Sequence, residues 1–190
     1  MRNDFYNAYE ARMNEKYRTH VERKYYPFIE LILKELPLGY CLIGEFGCGA
    51  ANISRVLAKA KPEIEHYLID WDHRMLLLAD ENMRSTNSSF SLYIEDLLDP
   101  PNENLTPNIH LIHSHGVLEH FSDAEIRTII GNQLRLANTL VHYVPGAKYQ
   151  KPSFGDERLL TTNQWQQICS PDEIVEFNDG YDLVLIWRKV

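Results

Sequence analysis

The sequence predicts an α/β protein built on a doubly wound, mostly parallel sheet that closes in an antiparallel C-terminal hairpin strand and is preceded by N-terminal helices. Three observations carry this. A short apolar run, Tyr40 to Phe46, enters a glycine-rich turn and is followed by helical spacing at Ile53, Val56 and Leu57. The strand-then-helix unit recurs along the chain, as a parallel sheet requires. Near the end, the strand-like runs Glu173 to Phe177 and Tyr181 to Trp187 flank Asn178-Asp179-Gly180, a strong hairpin signal.

Taken in order, Phe5, Tyr9, Met13, Tyr17, Val21 and Tyr25 fall four apart and predict one amphipathic helix. Pro27 suits the first turn of a second helix, with Phe28, Leu31, Ile32 and Leu36 inward, ending at Pro37-Leu38-Gly39. After the first strand and its helix, His66 to Ile69 predicts a second strand. Asp72 is placed to cap a helix that buries Met75, Leu76 and Ala79. Phe90, Leu92 and Ile94 alternate as a third strand, and Asn108 to Ser114 makes a fourth. Ser122-Asp123-Ala124-Glu125 is a capping box ahead of Ile126, Ile129, Ile130 and Leu134. Thr139 to Val144 is apolar almost throughout, as a strand covered on both faces is. Thr162 is expected to cap a helix on which Trp165 and Ile168 pack.

The length of 190 residues with 44% hydrophobic side chains fits one domain, with residues 1–38 as a helical segment packed on a Rossmann-like domain of residues 39–190. The net charge of -8 has the wrong sign for gripping a phosphate backbone, so no nucleic-acid partner is expected. No apolar run approaches the roughly 18 residues a membrane helix needs, and Met1 to Asp4 does not open like a signal peptide. Cys41, Cys48 and Cys169 form no CxxC pair and are odd in number, which predicts reduced thiols and a cytoplasmic protein. The oligomeric state is not legible.

The chemistry concentrates after the first strand, at Glu45-Phe46-Gly47-Cys48-Gly49-Ala50-Ala51. Glycines there let backbone approach a ligand, and Asp70, at the end of the next strand, is placed to take both hydroxyls of a ribose. The combination points to an adenosine-type ligand. A pyrophosphate would favour a GxGxxG turn at a helix N-terminus, whereas here a carboxylate, Glu45, opens the loop. Negative charge suits a sulfonium and an ammonium better than phosphates.

On these residues the chain resembles the class I S-adenosylmethionine-dependent methyltransferases, whose first motif, acidic-x-Gly-x-Gly-x-Gly, is matched by Glu45 to Ala51. Ala51 replaces the last glycine, a position read as serving close helix packing. The resemblance implies that Asp70 holds the ribose, that Trp71 flanks the adenine, and that Asp96, followed by Leu97, lies near the adenine amino group. It places His115, in the run His113 to His120, beside the methionine moiety. The implied cofactor-binding set is thus Glu45, Phe46, Gly47, Cys48, Gly49, Asp70, Trp71, Asp96, Leu97 and His115. The implied activity is methyl transfer from S-adenosylmethionine to a small-molecule substrate, with release of S-adenosylhomocysteine.

Candidate bases are His115, Glu119 and His120. Metal ligation is not expected, because the histidine cluster His110, His113, His115 and His120 lacks the acid and histidine of a metallohydrolase run at positions 117 and 118, which are Val117 and Leu118. Two other functions fit part of the pattern: a non-catalytic S-adenosylmethionine-binding protein, and an NAD-dependent oxidoreductase, which Glu45 disfavours. The segment from Tyr149 to Leu160, with Lys151, Phe154, Asp156, Glu157 and Arg158, is expected to be a lid over the substrate.

Overall fold

Why the N-terminal stripe does not form one helix is visible at Asn14. Its backbone is extended and its side chain accepts the Tyr17 N–H, so the chain stops after α1 (Tyr6–Glu10) and restarts as α2 (Glu15–Lys24). A short polar side chain that bonds nearby backbone favours such a cap over a helix interior. The spacing of four continues across the break. Pro27 sits in the first turn of α3 (Tyr26–Glu35), where Phe28, Ile29 and Ile32 are buried.

The computed structural model describes residues 5–101, 109–153 and 156–189. It divides into two compact units, Met1–Asp96 and Leu97–Val190. In the first unit β1 (Cys41–Phe46) and β2 (Ile64–Asp70) run parallel, with Cys41 opposite Ile64 and Phe46 opposite Ile69. On the far side of β2 lies β3 (Phe90–Ile94), also parallel. All six residues of β1 are buried, which is why its pattern does not alternate. Phe90 and Leu92 pack against a core of Leu68, Leu76, Ala79 and Met83. Ile94, expected inward with them, is 66% exposed where the strand runs out.

Helix α4 (Asn52–Ala60) follows β1, and α5 (His73–Met83) follows β2. Asp72 caps α5 by accepting the Arg74 N–H, and Met75, Leu76 and Ala79 are buried. The N-terminal helices belong to this unit: α2 and α3 contact α4, and α1 contacts α5.

In the second unit β4 (Ile109–His115) pairs in parallel with β5 (Ala137–Pro145), and α6 (Asp123–Leu136) connects them. Asn108, expected to open the fourth strand, lies outside the described residues. The Ser122–Glu125 capping box forms with both of its bonds. After α7 (Thr162–Cys169), β6 (Glu173–Phe177) and β7 (Asp182–Arg188) form the hairpin, and β7 also lies antiparallel against β5. Asn178, Asp179 and Gly180 turn the chain with positive φ at all three positions. The cap of α7 is Thr161, one residue before the expected Thr162, because Thr161 and Gln164 complete a capping box. Trp165 behind it is fully buried. Among the described residues no helix is long and apolar enough to cross a membrane.

Candidate functional site

The turn after β1 is held almost entirely by its own unit. Ile69 O, near the end of β2, accepts both the Gly47 and the Cys48 N–H, at 2.8 and 2.9 Å. Asp70 Oδ2 accepts the Gly49 N–H at 2.8 Å, Asp70 Oδ1 accepts the Asp72 N–H at 3.0 Å, and Cys48 O accepts the Ala51 N–H. Gly47 and Gly49 adopt left-handed backbone, φ 73 and 54. A methyl added at Gly49 would meet Met75 Cε at 3.2 Å. Ala51 is also left-handed, φ 52. The last glycine of the motif therefore has a conformational reason besides helix packing, and alanine here carries about 1 kcal/mol of strain.

Glu45, which precedes the loop, faces inward. It is 2% exposed within β1, and its Oε2 accepts the Ser54 N–H in the first turn of α4. A carboxylate at a helix N-terminus satisfies an orphan donor and faces the positive end of the dipole. Burial pushes its carboxyl up to about 7, with the Ser54 hydrogen bonds pulling the other way. The place where a phosphate would sit in a dinucleotide fold thus already holds an acid of the chain itself.

Asp70 is 7% exposed. Burial raises its carboxyl, opposed by the Asp72 and Gly49 N–H groups. Trp71, next to it, is 43% exposed, Phe46 and Cys48 are buried, and Asp96 and Leu97 are half-buried. Burial drives the Cys48 thiol well up, the behaviour of an inert packing residue. One positioning residue escaped the sequence reading. Asn82, fully buried on α5, donates to Ala50 O at 2.8 Å and to Asn52 Oδ1, tying the loop down from below. Its sequence signal is a polar residue beside Ala79 and Met83 on an otherwise apolar face. Above the loop, Tyr6, Tyr9 and Met13 pack on Ala50, Met75 and Leu78.

In the second unit β4 ends at His115, whose ring stacks on Tyr143 at 4.5 Å. Gly116 turns the chain with φ 71, and a 3-10 turn, Leu118–His120, brings Glu119 inward. Glu119 is 2% exposed. Burial, reinforced by Glu157 and Asp156, pushes its carboxyl up to about 8. His120 Nδ1 meets Asp156 Oδ1 at 2.7 Å. The strand histidines are not gathered: His110 is exposed and His113 is buried in β4. His142, also buried, shares a hydrogen bond with Ser114 Oγ at 2.8 Å, and burial lowers its pKa to about 3.

The described residues of the segment expected as a lid make several bonds, most of them to residues outside it. Tyr149 donates to buried Asp182, and Glu157 accepts the Ser153 N–H. Arg158 donates to Phe121 O and pairs with Asp123, while its own N–H meets Glu119 O. These contacts fix both ends of the segment. Phe154 lies outside the described residues.

A strand that turns through glycines into a helix, and a parallel second strand whose last carboxylate grips that turn, mark the class of Rossmann-like α/β domains. Residues 43–139, just over half of the chain, match the family described as methyltransferase domain, and the chain belongs to that family. The fold agrees. An S-adenosylmethionine-dependent methyltransferase from Clostridium acetobutylicum superposes at TM-score 0.72 and 12% identity, over 98% of this chain and 99% of that one. Magnesium protoporphyrin IX methyltransferase from Synechocystis, solved with bound S-adenosylhomocysteine, gives 0.65 and 14%, over 89% of this chain and 83% of that one. The pyocyanin biosynthetic protein PhzM gives 0.69 and 16%, over 86% of this chain, which spans 54% of PhzM. No curated protein matches the chain in sequence.

Proposed function

We propose that this chain transfers the methyl group of S-adenosylmethionine to a small molecule, releasing S-adenosylhomocysteine. The observation that supports it best is the state of the loop after β1. Its Gly47, Cys48 and Gly49 N–H groups are engaged by Ile69 and Asp70, and Glu45 occupies the start of α4. A nucleotide phosphate there would face two carboxyls and few spare donors, whereas a cationic amino-acid nucleoside is favoured. A carboxylate offers about four acceptor sites, more than the backbone bonds from Gly49, Asp72 and Trp71 take up, so Asp70 keeps acceptor capacity for a ribose hydroxyl. Trp71 offers an exposed ring for the adenine. Asp96, and in the second unit Leu97 and His115, complete the cofactor assignment on the strength of the motif resemblance.

Methyl transfer is an in-line displacement. The nucleophile forms a bond to the methyl carbon, the sulfonium–methyl bond breaks with its electrons passing to sulfur, and a hydroxyl nucleophile gives its proton to a base. The protein's part is mainly positioning. His115, Glu119 and His120 are the assigned candidates for that base. The net charge of -8 supports a small-molecule substrate over a nucleic acid, and three unpaired thiols support a cytoplasmic setting.

Calorimetric titration with S-adenosylhomocysteine and with NAD tests the cofactor, and incubation of a metabolite extract with methyl-labelled cofactor tests turnover. Tight binding of the former and a labelled product are expected. Preferential NAD binding overturns the reading. Binding without product from any extract makes the chain a cofactor carrier.

A further inference from the structure

We propose that Glu119, His120 and Glu157 form a binding site for a divalent first-row cation, with Mn2+, Co2+ and Zn2+ as the fitting class. One ligand atom from each of the three lies within 4.8 Å of the other two, the spacing at which they converge on one ion. Glu119 and His120 come from the 3-10 turn after β4, and Glu157 from the segment after β5 that Arg158 ties back to Glu119 O. All three belong to the second unit.

A second feature, independent of that convergence, points to a ligand. Glu119 is 98% buried by side-chain packing, and its Oε2 has no hydrogen-bond partner among the described residues. Burying an acceptor without a donor costs about 1 to 3 kcal/mol, so such atoms mark a missing partner. The neighbours make this partner a cation. Asp156 and Glu157 bring further negative charge, while the guanidinium of Arg158 is committed to Phe121 O and Asp123.

The supporting shell is also present. Asp156 holds Nδ1 of His120, the carboxylate–imidazole arrangement that fixes the ring of a ligating histidine and raises its basicity. The Ser153 N–H steadies the Glu157 carboxylate in the same way. Two carboxylates with one imidazole favour the borderline divalent metals over magnesium and calcium, which prefer all-oxygen sets. Three protein ligands leave coordination positions open. On the methyl-transfer reading, on which this last step rests, an oxygen of the substrate takes one of them, and the cation lowers the pKa of that nucleophile. Sequence reading discounts a metal because it weighs the histidine cluster, His120 included, against a metallohydrolase run, and nothing in the pattern links Glu119 and His120 to Glu157.

The test uses the full chain stripped with a chelator and dialysed against Mn2+, with bound metal read by electron paramagnetic resonance and elemental analysis. About one equivalent is expected. Glu157→Ala, which leaves the buried core untouched, and His120→Asn should each weaken Mn2+ binding about 10- to 100-fold. Glu119→Gln should do the same while melting near the parent temperature. Less than a tenth of an equivalent, or binding unchanged in Glu157→Ala and His120→Asn, overturns the site. S-adenosylhomocysteine titration of the stripped protein runs in parallel: retained affinity with no bound Mn2+ sinks the cation site alone, and lost affinity in metal-loaded protein sinks the methyl-transfer reading.

Discussion

Replacing Asp70 by alanine should cost both stability and cofactor affinity, because one carboxylate serves the loop and the ligand. In the folded chain its oxygens take the Gly49 N–H at 2.8 Å and the Asp72 N–H at 3.0 Å, at 7% exposure. Hydrogen bonds to a charged group contribute about 1.5 to 3 kcal/mol each. Two such bonds give about 3 to 6 kcal/mol. From this the desolvation relieved by removing a buried carboxylate is subtracted, leaving about 2 to 4 kcal/mol. At about 2 to 4 °C per kcal/mol for a chain of this size, the melting temperature should fall by about 4 to 16 °C. Affinity for S-adenosylhomocysteine should fall by about 10- to 150-fold from the lost ribose bonds, and further where the loop relaxes. Asp72→Ala is the control. It removes the α5 cap and the Arg74 pair, about 1 kcal/mol, and should leave affinity nearly unchanged. Differential scanning calorimetry and titration calorimetry read both quantities. A melting temperature for Asp70→Ala within 1 °C of the parent would refute the loop argument, and intact affinity would refute the ribose assignment.

Other outcomes follow from the second unit and from the buried histidines. A methyl at Gly146 would sit 2.9 Å from Tyr181 O and 3.2 Å from Gly180 O, both backbone, so Gly146→Ala should destabilise by about 1 to 3 kcal/mol in thermal unfolding. Gly131, in α6 with open space where its Cβ would be, is the opposite case, and Gly131→Ala should stabilise by about 0.5 to 1 kcal/mol. Asp182 is fully buried and accepts from Tyr143, Tyr149 and Asn178; Asp182→Ala should cost about 3 kcal/mol or more, measured by urea titration. Burial holds His66 at about 3 against an ordinary 6.5, so it stays neutral in the fold while the unfolded chain takes up a proton. Its contribution is therefore intact above pH 6.5 and is lost as pH falls towards 3, by about 1.4 kcal/mol per unit. His66→Leu should flatten the acid limb of the stability curve by that slope, and an identical curve would contradict the buried neutral imidazole.

Much of the first unit's site was legible because its signals are local. The glycine turn and the Asp72 cap lie within a few residues of the element they shape, and Asp70 is marked by its place at the end of the next strand. Helix ends were readable for the same reason where a box is complete, as at Ser122 and Glu125. Reading slipped by one residue at Thr161, where two threonines compete. It failed at Asn14, whose capping bond outweighs a periodicity that continues past it. Asn82 went unread because its partners, Ala50 and Asn52, are remote in sequence.

By itself the sequence determined the alternation of strands and helices, the reversed last hairpin and the glycine turn after β1, since period, turn residues and caps are set by neighbours along the chain. Only the tertiary structure decided which way a side chain is spent. Glu45 lies two residues before Gly47, and pleating sends it inward to Ser54 and the start of α4. Glu157 lies far along the chain from Glu119 and His120, yet the return of the chain after β5 puts the three together. Strand alternation makes inward and outward equal choices for a lone carboxylate, and the partner that settles the choice is recruited through space.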